Sequence, residues 1–104
     1  MTKAEIKALL ITVDPNIRHY WSAGDGEPYT VWEETDRLPL VGDDHHAEEG
    51  WVVYVHRYTK DENDSVAAAL FALLDSAPEI AVSETVDQEP DTGYIHHIFR
   101  CEVV

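Results

Sequence analysis

The stretch WVVYVHRYT, residues 51–59, carries β-branched or aromatic side chains at most positions and reads as a strand. Directly behind it, KDENDSVAAALFALLDSAP places Val66, Ala69, Leu70, Leu73 and Ala77 at helical spacing. Acids crowd the start of that helix, where its dipole favours them, and Pro78 ends it. EIAVSETV, 79–86, alternates as a strand, DQEPDTG is a turn, and YIHHIFRCEVV alternates again. In this last strand Ile95, His97, Phe99, Cys101 and Val103 face one way, and Tyr94, His96, Ile98, Arg100 and Glu102 the other. This succession confines the second half of the chain to a helix laid on an antiparallel sheet.

The first half adds matching parts. Thr2 followed by Glu5 makes a capping box, and Ile6, Leu9 and Leu10 continue a helix over about 3–11. Pro15 disfavours helical geometry at Asp14 and stops it. A short strand is expected near 17–21, and YTVWEET, 29–35, reads as a longer one. DRLPLVGDDHHAEEG, 36–50, reads as a long connection, so 29–35 and 51–59 form a hairpin with an overlong tip. The expected order is α-β-β-α-β-β: an α+β fold with a mostly antiparallel sheet of about four strands and two helices on one face, in a single domain spanning 1–104.

Composition narrows the function classes. With 21 acids against seven bases the formal charge is −14, and the bases are scattered from Lys3 to Arg100. A phosphate-gripping face needs clustered cations, so no specific nucleic-acid binding is expected. No apolar run approaches the roughly 20 residues that cross a bilayer, so no membrane role is expected, and the N-terminus reads as mature and cytosolic rather than as a signal peptide. Apolar residues make up 44% of the 104, enough for one core without staples. The single cysteine, Cys101, falls in a strand pattern and reads as a small core hydrophobe.

The ligand-rich run GDDHHAEEG, 42–50, raises the question of a metal site. His45 and His46 are adjacent, and adjacent side chains of an extended segment point to opposite sides, so they do not share an ion easily. The acids Asp43, Asp44, Glu48 and Glu49 lack the alternating order of a calcium loop. The run reads as a solvated hairpin tip, with nickel or zinc binding at His45 and His46 adventitious only. His97 reads as a satisfied core histidine, and His96 lies beside His56 if the last strand pairs with 51–59; two such histidines would repel when protonated. No serine sits in a nucleophile elbow, and Cys101 lacks a setting that would activate it. Neither catalysis nor a cofactor is expected. Trp21, Trp32 and Trp51, placed on or beside strands with two usable faces, are candidates for an interface, as is the arm formed by Asp43, Asp44, His45, His46, Glu48 and Glu49.

The run from WVVYVHRYT through the helix VAAALFALLDSA to YIHHIFRCEVV, preceded by GEPYTVWEE at 26–34, resembles the tail-terminator (tail-completion) proteins of long-tailed phages and prophages over about residues 17–104. The likeness lies in element order and step motifs. Arg57 departs from it, standing where an apolar residue is expected, and the histidines are not a mark of the family. The resemblance implies a sheet with two helices that assembles with itself as a ring, expected to be a hexamer. It implies a tail tube protein and a head–tail connector protein as partners, and a place in the virion after assembly in the bacterial cytoplasm. Such a protein works by two surfaces and does no chemistry. Acids of the tip facing the lumen would keep passing DNA from sticking. Three rivals remain at this point: another neck or connector component, a monomeric acidic binding or inhibitor module, and a small metalloenzyme built on the histidines.

Overall fold

The computed structural model describes residues 1–20, 27–41 and 47–104, with the side chains of 39–41 and 47–49 excepted. Helix α1 (Lys3–Leu10) is followed by strands β1 (Arg18–His19), β2 (Tyr29–Val41) and β3 (Ala47–Thr59), helix α2 (Ser65–Ser76), and strands β4 (Ile80–Gln88) and β5 (Ile95–Val103). The strands form one sheet in the order β1-β2-β3-β5-β4, antiparallel except for the short β1–β2 pair. The fold is therefore α+β, as its sequence pattern requires, with a fifth strand supplied by the two residues of β1.

Local chemistry sets the helix ends. Thr2 Oγ1 accepts from the Glu5 amide at 3.1 Å, and Glu5 Oε1 accepts from the Thr2 amide at 3.0 Å, which closes the capping box. The acids before α2 fall outside its first turn: Asp61 and Asp64 instead build the lead-in, and Asp64 is the N-cap, accepting from the Ala67 amide at 2.9 Å. The buried stripe of α2 is Ala67, Leu70 and Leu74, with Val66 and Ala77 partly buried, while Ala69 is exposed. The run from Val66 to Leu74 is apolar nearly all round, so periodicity alone does not phase it; the cap at Asp64 and the packing on β4 and β5 do.

Strand register puts Val53, Val55 and Arg57 of β3 on the same face as Cys101, Phe99 and His97 of β5. Ile6 and Leu10 of α1, Leu70 and Leu74 of α2, Trp32, Ile80 and Val103 close on that face as one core, so both helices lie on one side. Phe99 and Val55 are fully buried there. Gly93, at φ 75°, occupies the left-handed region that the β4–β5 turn needs, and the turn closes with its amide on the Glu89 carbonyl at 2.9 Å.

The 36–50 segment departs from the expected loop. β2 and β3 stay paired as far as Val41 and Ala47; the rest of the expected connection, 42–46, lies outside the described residues. Beyond Trp32 no strand pairs with the outer edge of β2 among the described residues, and an edge tolerates Pro39 without breaking the ladder. A bulge between Glu34 and Asp36 absorbs the extra residue, Thr35. Trp51–Val103 is the last β3–β5 pair, so the four pairs from Leu38–Gly50 to Val41–Ala47 run past the sheet as a two-stranded arm, about 13 Å at strand rise. The molecule is correspondingly long, 50 × 24 × 20 Å.

Candidate functional site

Tyr54, His56 and Tyr58 alternate along β3 and so project on the face without helices. Tyr29 of β2 stands opposite Tyr58 and stacks on it at 4.7 Å between ring centroids; His96 of β5 stands opposite on the other side and stacks at 4.1 Å. Tyr94 closes the end of this lane edge-on to both tyrosines and donates its hydroxyl to the Glu27 carbonyl at 3.0 Å. Arg18 lies over Tyr29 and Lys60 over Tyr94, each about 5 Å from the ring centre. The rings bury one another: Tyr29 and Tyr94 are buried and Tyr58 is half-buried.

Within the lane runs a hydrogen-bonded chain. Glu33 Oε1 is 3.3 Å from His56 Nε2, and His56 Nδ1 is 2.8 Å from His96 Nε2. The adjacency of His56 and His96 follows from the β3–β5 pairing; the Glu33 contact needs the β2 register as well, and no short-range sequence signal carries it. Burial and then the neighbouring His56 hold the His96 imidazole well below its ordinary range, at about 4. Burial first, and the charge that Tyr29 would carry, push the Tyr58 phenol up.

On the helix-covered side, the edge of the sheet carries a second polar node. Glu34 accepts from the Tyr20 hydroxyl, pairs with His19 Nε2 at 2.7 Å and lies 3.4 Å from Lys3 Nζ. His19 is sandwiched between the rings of Tyr20 and Trp32, each 4.0 Å away. Burial alone would raise the Glu34 carboxyl, but the bonds from Tyr20 and His19 outweigh it and hold it at about 2. Tyr20 adopts φ 68°, uncommon for a residue with a side chain; its amide bonds the Trp32 carbonyl at 3.0 Å and its hydroxyl the Glu34 carboxylate.

Arg57, the departure from an apolar pattern, is 5% exposed. Its Nε and one terminal nitrogen grip both oxygens of Asp64 at 2.8 and 3.2 Å, and the other terminal nitrogen donates to Thr30 Oγ1 at 3.2 Å and lies 3.7 Å from Asp14. One buried guanidinium thus ties β2, β3, the segment after α1 and the cap of α2. Burial would raise the Asp64 carboxyl; the bonds from Arg57 and the Ala67 amide overcome that and lower it.

Beside α2 an open cavity of about 490 Å³ is lined by Asp64, Ala67, Phe71, Glu84 and His97 among others. His97 is not deep in the core: it sits at this rim and pairs through Nδ1 with Glu84 at 3.0 Å. Cys101 is buried, and that burial pushes its thiol up to about 12, far from a reactive thiolate. Among the described residues no three His, Cys, Asp or Glu side chains converge where an ion could sit.

The sequence-derived interface residues scatter. Trp32 is 2% exposed and belongs to the core, where its Nε1 has no hydrogen-bond partner among the described residues. Trp51 is partly buried at the base of the arm, with Lys3 and Arg37 about 5 Å over its ring. Glu48 and Glu49 lie in the arm's β3 strand, opposite Leu40 and Pro39. Trp21, Asp43, Asp44, His45 and His46 lie outside the described residues. The chain matches no protein-family profile and no curated protein sequence.

Proposed function

We propose that this chain is a non-enzymatic virion protein of the tail-terminator kind. Copies join head to tail in a closed ring of six, cap the tail tube when it has reached length, and offer the opposite surface to the head connector. The protein is assembled in the bacterial cytoplasm and ends in the tail. The observation that carries this reading is the arm: four strand pairs continue past the sheet with no third strand beside them among the described residues. An arm without its own core gains by packing on something else, and a heterologous contact that closes on rotation produces a ring. The sheet with two helices, which the resemblance implies, supports it too. The −14 charge fits a part past which DNA must slide without sticking.

Light scattering tests the assembly. Purified protein is expected to reach six times the 11.8 kDa protomer mass, either alone or as the mass added to each tail tube. A protein that stays monomeric with tubes present, and instead binds a basic partner tightly, is the acidic binding module. Reversing Asp43, Asp44, Glu48 and Glu49 to lysine is expected to impair DNA passage and infectivity; unchanged infectivity removes the lumen-repulsion part.

A further inference from the structure

We propose that Glu33, His56 and His96 form a one-proton site whose occupancy reverses the direction of the His56–His96 hydrogen bond. Glu33 Oε1 accepts only, and it faces His56 Nε2 at 3.3 Å, so that nitrogen carries the hydrogen. A neutral imidazole has one N–H. His56 Nδ1 is then an acceptor, and His96 Nε2, 2.8 Å away, donates to it. His96 Nδ1 is left with a lone pair and no partner among the described residues.

One added proton changes every role in the pair without moving a heavy atom. It enters from solvent at His96 Nδ1, and the hydrogen on His96 Nε2 passes to His56 Nδ1. His56 becomes an imidazolium beside the Glu33 carboxylate and donates to His96 Nε2. His96 stays neutral, with its hydrogen now on Nδ1. One proton is taken up and none is lost. A second proton would set N–H against N–H across 2.8 Å, and the resistance of His96 to protonation down to about pH 4 agrees with that.

The surroundings suit a single positive charge. Glu33 comes from β2, and Asp87 of β4 stands opposite His96 in register. Tyr58 stacks on His96, Tyr54 and Tyr58 flank His56 along β3, and Tyr29 and Tyr94 close the lane. Glu89 adds negative charge near Tyr58, whereas His97, on the sheet's other face, adds to the repulsion at His96. Arg100 is engaged by Glu102 and Tyr54. The helix-free face therefore presents an acceptor at His96 Nδ1 at high pH and a donor at lower pH.

Nitrogen-15 NMR of histidine-labelled protein between pH 8 and 4.5 tests this directly, and it is independent of the assembly reading. Both residues are expected to carry hydrogen on Nε2 at high pH. On acidification His56 becomes doubly protonated while the hydrogen of His96 moves to Nδ1, with one shared midpoint. A His96 that keeps its tautomer, or turns into imidazolium with or before His56, overturns the proposal. Glu33→Gln keeps an acceptor and removes the charge, so the same tautomer exchange is expected at a midpoint about one pH unit lower; an unmoved midpoint rules out Glu33 as counter-ion.

Discussion

Val53, Val55, Phe99 and Cys101 point to the face that carries both helices; Tyr54, His56, Ile98 and Arg100, one residue along the same strands, point to the other. The covered face is aliphatic and aromatic and excludes water around Phe99, and its buried ionic groups, Arg57 and Glu34, are each held by several partners. The helix-free face is made of rings that cover one another and of imidazoles that exchange hydrogen bonds. A pleated sheet thus separates two environments at single-residue spacing: a core under both helices on one face, and a lane of stacked rings and hydrogen-bonded imidazoles on the other.

Truncation on the two faces should break this division if it is wrong. Phe99→Ala is expected to cost about 3–5 kcal/mol in urea unfolding, since a fully buried ring leaves a cavity. Ile98→Ala, next in sequence but half-buried on the other face, is expected to cost less than about 2 kcal/mol. Equal losses would mean that something covers the second face in the isolated protein.

Arg57→Met comes next, at about 3 kcal/mol, because it leaves Asp64 buried without its charge partner. Adding Asp64→Ser removes that orphan charge yet keeps a capping hydroxyl, so the double variant is expected to unfold at higher urea than Arg57→Met alone.

Acid sharpens the contrast, because Glu34 on one face and His96 on the other are both strongly shifted. Glu34, on the covered side, sits at about 2 against an ordinary 4.5. Its contribution is complete above pH 4.5 and is lost as pH falls towards 2. Glu34→Gln is expected to lose on the order of 2 kcal/mol at pH 7, and its stability should meet the wild type near pH 2. His96, on the helix-free side, sits at about 4 against 6.5. The unfolded chain takes up that proton first, so stability falls as pH drops from about 6.5 to 4. His96→Gln is expected to flatten that decline; a decline of the same size in the variant would place its source elsewhere.

The sequence carries the alternation of β5, the strand at 51–59, the capping box at Thr2 and the meeting of His56 with His96, because each rests on period-two spacing or on residues three apart. It does not carry the length of β2 and β3. Pro39 and the charges of 36–50 have a loop's composition, and an outer edge of β2 that pairs with nothing beyond Trp32 among the described residues makes a strand tolerable there. The phase of α2 is hidden because Val66–Leu74 is apolar on nearly every side. Trp32 reads as an interface candidate by residue type, and only its place in the buried cluster with Ile6, Leu10, Val53 and Val55 assigns it to the core. Arg57 reads as an exception to an apolar pattern until Asp64, Thr30 and Asp14 are brought around it by three other parts of the chain. Glu33 joins the histidines only through cross-strand register, which no local pattern reveals.

The most direct measurement is negative-stain imaging of tail tubes mixed with the intact protein and with a variant shortened by the four arm pairs, Leu38–Gly50 to Val41–Ala47, rejoined by a two-residue turn. The intact protein is expected to form a ring at one end of each tube and to stop its growth. The shortened variant, with an unchanged urea midpoint, is expected to leave the tube ends bare and growing. Bare ends with the intact protein, or rings that form equally well without the arm, would contradict a function carried by shape and self-association through that arm.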